Sequence, residues 1–358
     1  MPAPSSTNHI AVLRSLAETL VIAAAGGLTL GLIGVPAGYL SGSILAVAGF
    51  ALAGRPMLIP TLMMRTIFVF IGISLGTVVT PATLTGMATY PLSIAVLLVA
   101  MACVSIGGAA YLRIVHGWER VPAYLASAPG GMSQVLALAA ELGADLRAIA
   151  IVQSMRVVIV AVGLPAGLAL FGLTGHAARP SGGPLTVATL DELAILVVAA
   201  SVGAAVFYRL RVPGGLLFGA MSSSAVLHGT GLIHAILPWW VANAAALALG
   251  AVIGSRFTNT PLRLFLNFLG AAFGSFAVAV AITAVFGAAL ISFLSLRLAE
   301  VMIAFAPGSV DAMMLLALAL HLDPVYVGAH HVVRIFFVSL SMPLLTRRAA
   351  RKDKPASN

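Results

Sequence analysis

Long apolar runs separated by short polar breaks organise this chain. Twelve can be read: 16–33, 36–53, 57–79, 90–115, 121–142 and 146–173, then 190–208, 213–229, 236–256, 264–290, 298–320 and 325–346. Each approaches the roughly 20 residues a helix needs to cross about 30 Å of hydrocarbon. The second run of each half is shorter and is also open to a re-entrant reading. A backbone withdrawn from water must satisfy its own polar groups, so these runs predict helices. The chain then divides into a cytoplasmic N-terminal segment 1–15, a first membrane set 16–173, a linker 174–189, a second set 190–346 and a basic cytoplasmic tail 347–358.

The two halves share more than hydropathy. Ala128-Pro129-Gly130 recurs as Ala306-Pro307-Gly308, an offset of 306 − 128 = 178. The same offset, without a gap, carries Gly76 to Gly254, Asp145 to Asp323, Arg156 to Arg334 and Pro165 to Pro343. Val35-Pro36-Ala37-Gly38 and Gly42 meet Val212-Pro213-Gly214-Gly215 and Gly219 with the offset changed by one. Register held across so many unlike residues predicts an internal duplication. The expected fold is an all-α polytopic membrane protein: two tandem repeats of about six apolar segments, each with a Pro-Gly-broken helix. Six crossings per half would make the copies parallel; one re-entrant segment per half would invert them.

Composition sharpens this picture. Apolar residues make up 61% of the 358 and charged residues 8%, with mean hydropathy +1.10. Soluble domains need roughly a quarter of their residues charged to hold a hydrated surface. The net charge of +9 is no nucleic-acid signature, because both lysines, Lys352 and Lys354, sit in the tail among Arg347, Arg348 and Arg351. That placement fits cytoplasmic ends retaining positive charge, and a multi-pass protein of a bacterial inner membrane. Cys103, the single cysteine, allows no intrachain disulfide and no thiolate cluster.

The string Ala128-Pro129-Gly130-Gly131-Met132-Ser133, followed by Leu142-Gly143-Ala144-Asp145 and Gln153-Ser154-Met155-Arg156, returns as Ala306-Pro307-Gly308, Asp323, His330-His331 and Arg334. This twice-used motif resembles the AbrB family of duplicated bacterial membrane proteins, a family also labelled ammonia monooxygenase. The likeness covers nearly the whole chain, although Ser309 stands where Gly131 does in the first copy. It implies a membrane transporter or regulator, since both labels attach to the family. No His, Cys or Glu cluster in the sequence supports an oxygenase centre, so no enzyme activity and no cofactor are expected.

Proline and glycine should open the backbone at both Ala-Pro-Gly motifs. Opened backbone in hydrocarbon is tolerated only inside protein or around a wet cavity, and matched breaks in two repeats point to a transporter's central site. Pro129, Gly130, Gly131, Ser133, Gln134, Gln153, Arg156, Pro307, Gly308, Ser309 and Arg334 are therefore candidate solute-binding residues. Both motifs are expected to be non-helical and to approach each other.

Asp311 occupies the position of Ser133, where an acid either caps the following helix or carries a coupling proton or sodium ion. His330 and His331 replace Val152 and Gln153; they join Asp311 as ion-coupling candidates or serve as satisfied core histidines. Asp145 and Asp323 read as helix caps. Arg156 and Arg334 lie 11 residues beyond those acids, on one helical stripe but roughly 16 Å away, out of ion-pair reach. They suit either an anion, especially a carboxylate, or the freed carbonyls of the breaks.

The function expected from the residues is a secondary transporter of a small anionic organic solute, driven by a proton or sodium gradient. The alternative is a membrane-embedded sensor or regulator acting through a partner. Expected partners are the lipid bilayer, the solute and a second copy of the chain in a homo-oligomer.

Overall fold

The computed structural model describes residues 6–77, 90–173, 189–212, 214–233, 235–294 and 296–353, with the side chains of 6–10, Ser133 and 347–353 outside the description. The described residues form helices and no strand. In chain order these are α1 Ser6–Leu32, α2 Gly38–Leu52, α3 Thr61–Gly76, α4 Tyr90–His116, α5 Arg120–Ser127, α6 Met132–Glu141 and α7 Leu146–Leu170. They continue as α8 Leu190–Arg209, α9 Gly215–Gly229, α10 Trp239–Gly254, α11 Leu262–Phe293, α12 Leu298–Phe305, α13 Val310–Ala319 and α14 Pro324–Asp353.

Seven spans among the described residues are long and apolar enough to cross a membrane: Ala11–Leu32, Tyr90–His116, Leu146–Leu170, Leu190–Arg209, Trp239–Phe257, Leu262–Phe293 and Pro324–Thr346. This corrects the expectation that all twelve apolar runs approach crossing length. Helices α2 and α9 have 15 residues and α3 has 16, or roughly 22–24 Å at 1.5 Å per residue. The fifth run of each half is two helices of 8 and 10 residues, α5 with α6 and α12 with α13.

Helix α8 shows why such a composition folds as it does. Leu196, Ala200 and Ala204, four residues apart, form a buried stripe. Ile195, Val198, Val202 and Val206 are about half exposed, so the outward face is as apolar as the inward one. An all-round apolar helix has no wet face, which suits a surface bathed in hydrocarbon.

The chain folds into two compact units, each drawn from both halves of the sequence. The first comprises Met1–Leu84, Ala161–Leu262 and Met314–Pro324; the second comprises Thr85–Val160, Arg263–Met313 and Val325–Asn358.

In the first unit, α2 packs on α1 and on α10, while α9 packs on α8 and on α3. Small residues make these approaches close, as expected where apolar lipid gives no drive for helix association. A Cβ added at Gly42 would stand 2.2 Å from the Gly26 carbonyl oxygen, and one at Gly219 would stand 2.3 Å from that of Gly203. The exchanged pairs match as well: Gly72 abuts the Leu217 carbonyl and Ala220, and Gly250 abuts the Leu40 carbonyl and Ser43. Ser224 Oγ adds a hydrogen bond to the Ile73 carbonyl at 2.9 Å.

In the second unit, α4 packs on α5, with Gly108 against Ser127. Tyr111 of α4 lies against Gly274 of α11, and Trp118 meets Phe268 edge to face. Arg297 and Glu300 form an ion pair at the start of α12.

Candidate functional site

All the groups of the site belong to the second unit. Helix α5 ends at Ser127 and α6 begins at Met132, leaving Ala128–Gly131 non-helical. Helix α12 ends at Phe305 and α13 begins at Val310, leaving Ala306–Ser309 non-helical. Gly130 and Gly131 have φ of 108° and 67°, a region a side chain enters only with strain. Each helix end leaves carbonyls without intrahelical partners, which must be met locally when buried.

Two arginines meet them. Arg156 of α7 donates from Nη2 to the Ala128 carbonyl at 2.7 Å, and from Nη1 to those of Ala126 and Ser127 at 3.5 and 3.4 Å. Arg334 of α14 donates from Nη1 to the Ala306 carbonyl at 2.5 Å, and from Nη2 to that of Gly308 at 2.8 Å. The neighbouring polar side chains follow the same pattern. Gln153 donates to the Leu125 carbonyl at 2.8 Å, and His331 Nε2 lies 3.2 Å from that of Ile303. Four of these bonds, from Gln153, Arg156, His331 and Arg334, reach a carbonyl 28 residues earlier in the chain.

The two breaks converge. A Cβ on Gly130 would lie 3.4 Å from Arg334 Nε, so the first break rests against the arginine that holds the second. Gly131 faces Val338 of α14, and the Gln134 Oε1 lies beside it. Arg156 and Arg334 are 5% and 0% exposed, and both lie against the first break, Arg156 at the Ala128 carbonyl and Arg334 beside Gly130. Neither has a carboxylate within ion-pairing distance among the described residues. Both keep one buried donor, Nε, without a partner.

The histidines play separate parts. His331 Nδ1 accepts from Arg334 Nη2 at 2.5 Å while its Nε2–H points to Ile303, the neutral tautomer. His330 makes its hydrogen bonds to other groups than the guanidinium. Its Nδ1–H donates to the Tyr326 carbonyl at 2.7 Å, and its Nε2 accepts from Ser93 Oγ at 2.7 Å. Ser93 Oγ is also 2.6 Å from the Tyr326 hydroxyl, closing a buried ring of polar groups around His330. Sequence reading missed Ser93 and Tyr326. Tyr326 is one turn before His330 and could have been noticed; Ser93, 233 residues before Tyr326, carries no local signal.

The other candidates are placed less centrally. Pro129, Pro307 and Gly308 are buried, Ser309 is half-buried with no partner for its Oγ, and Gln134 is exposed. Asp311 lies half-buried in the first turn of α13, and Ser133 lies in α6 with its side chain outside the described residues. Asp145 Oδ1 accepts from the backbone N–H groups of Arg147 and Ala148 at 2.9 and 3.1 Å and so caps α7. No group of three His, Cys, Asp or Glu side chains placed to hold a metal occurs among the described residues.

Comparison with known proteins places this geometry in a family. The family model described as "Transition state regulatory protein AbrB" matches residues 39–350. The chain is similar to "Uncharacterized protein YhjN" of Bacillus subtilis (strain 168), 26% identical over 94% of this chain and 95% of that one. It is also similar to "Putative regulator AbrB" of Escherichia coli (strain K12), 28% identical over 87% of this chain and 90% of that one. With the family model covering most of its length, the chain belongs to the AbrB family.

Proposed function

We propose that this protein is a secondary transporter of a small anionic organic solute, driven by an ion gradient across a bacterial inner membrane. The observation that carries this reading is the convergence of two non-helical Ala-Pro-Gly segments on two buried arginines. Discontinuous helices at corresponding positions of two repeats are how many transporters build a midplane site. Intramembrane charges are expensive and mark solute or ion pathways more often than packing. The matched 28-residue bonds and the exchanged helix pairs of the first unit support a tandem duplication, each copy with a Pro-Gly-broken helix.

A second reading, a membrane regulator acting through a partner, draws on the family description and on the name of the Escherichia coli relative. Purified protein in sealed vesicles distinguishes the two. Labelled small carboxylates should accumulate when a proton or sodium gradient is imposed, above the level of protein-free vesicles. Uptake no greater than in those vesicles, for every carboxylate and under both gradients, would leave the regulator reading standing.

A further inference from the structure

From the charge balance of the site we infer that its ligand is a dianion, a short dicarboxylate, with one carboxylate taken by each arginine. The inference rests on the solute-site reading above and narrows it.

A guanidinium stays protonated in proteins and offers five N–H donors. In both arginines the terminal nitrogens are committed to the carbonyls of the adjoining break. Arg334 further spends Nη2 on His331 Nδ1. In each, Nε is the one guanidinium nitrogen that is buried and without any partner. Such a donor aimed into a protein interior calls for an acceptor. Two of them, on two cationic side chains that both lie against the Ala128–Gly130 turn, call for acceptors that are also anionic.

The charge count sets the number. Two buried guanidinium groups, with no carboxylate in ion-pairing distance among the described residues, carry two uncompensated positive charges. A monoanion would leave one of them uncompensated in a low-dielectric site, and a dianion leaves none. Each guanidinium commits three of its five N–H donors to the protein, so a carboxylate at one arginine is met by Nε–H and at most one further terminal N–H. Compensating both charges requires engaging both arginines at once, which a molecule with a carboxylate at each end does and a monocarboxylate does not. Gly130 lies beside the second of these Nε donors, since a Cβ there would sit 3.4 Å from Arg334 Nε.

Binding is measured on the purified full chain in detergent, by thermal shift and by titration calorimetry, with succinate, butyrate and inorganic sulfate as probes. Succinate should bind saturably and at least tenfold more tightly than butyrate. The variant Arg156→Lys keeps the charge but loses Nε, and should reduce the preference for succinate over butyrate to less than threefold. Equal affinity for succinate and butyrate in the parent protein overturns the inference and needs no variant to fold. Sulfate binding more tightly than succinate also overturns it, because the site would then be a compact one for a single tetrahedral dianion. Vesicle uptake separates this result from the transport reading. Succinate binding without uptake retains the dianion site and rejects transport, whereas gradient-driven uptake of butyrate with no succinate binding does the reverse.

Discussion

Single residues in this protein do double duty as structural partners and as candidate chemistry, and the balance differs from one acid or base to the next. Asp145 is the plainest structural case, accepting two N–H groups at the start of α7. Asp145→Ala should lower stability by about 1 kcal/mol, and Asp145→Asn by only a few tenths, because asparagine caps nearly as well. Thermal unfolding of the two variants in detergent checks this, and an equal loss in both would point to a role for the charge itself. The arginines were legible in the sequence because charge is rare there and because both sit 178 residues apart in register. Their acceptors were legible only as alternatives, since which carbonyls a freed backbone offers depends on where each helix stops. The ring of Ser93, Tyr326 and His330 was not legible at all. Serine and tyrosine in apolar helices carry no signal until tertiary packing brings them within 2.6 Å.

At the scale of elements, glycine decides which helices touch. Gly250 of α10 faces α2 so closely that a Cβ would fall 1.7 Å from Ser43 Oγ and 2.8 Å from the Leu40 carbonyl. Gly49 of α2 is exposed, with nothing within 4 Å of its would-be Cβ. Gly250→Ala should therefore cost about 1–3 kcal/mol through overpacking, whereas Gly49→Ala should stay within about 1 kcal/mol of the parent on the stabilising side. Midpoints of thermal unfolding compared side by side test the pair, and equal behaviour would mean that α2 and α10 do not pack this tightly. The paired glycines Gly38 with Gly42 and Gly215 with Gly219 have the four-residue spacing that suits close helix contact. Helix lengths were harder to read. The Ala-Pro-Gly motifs predicted an opening inside 121–142 and 298–320, but hydropathy runs on through it and hides that each run becomes two helices of only 8 and 10 residues.

At the scale of the whole molecule, the halves of the sequence are interleaved: each compact unit takes helices from both. In the first unit α3 finds its partner in α9, and α2 finds one in α10. Neither half can bury those faces alone. Cutting the chain within 174–188 should give two fragments that resist protease only when produced together, and that copurify. A first half that is monodisperse and protease-resistant alone would show that the interleaving is not needed for folding. On the transport reading, coupling is also a property of the whole, because it would link an ion at one site to movement elsewhere in the chain. The two histidines are already committed in the structure, His331 to Arg334 and Ile303, His330 to Ser93 and Tyr326. On the same reading, Asp311, itself partnered in the first turn of α13 beside the second break, is the acid we propose to exchange a proton or sodium ion as access alternates. In vesicles, Asp311→Asn should keep solute exchange at equilibrium but lose at least tenfold of its gradient-driven accumulation, while His331→Gln loses less. The competing account makes Asp311 a favourable charge at a helix N-terminus and no more, worth about 0.3–1 kcal/mol of stability. Under that account asparagine leaves coupling intact, so Asp311→Asn vesicles that accumulate solute to the parent level under the same gradient would leave Asp311 a helix-terminal charge and move the search for the coupling group elsewhere.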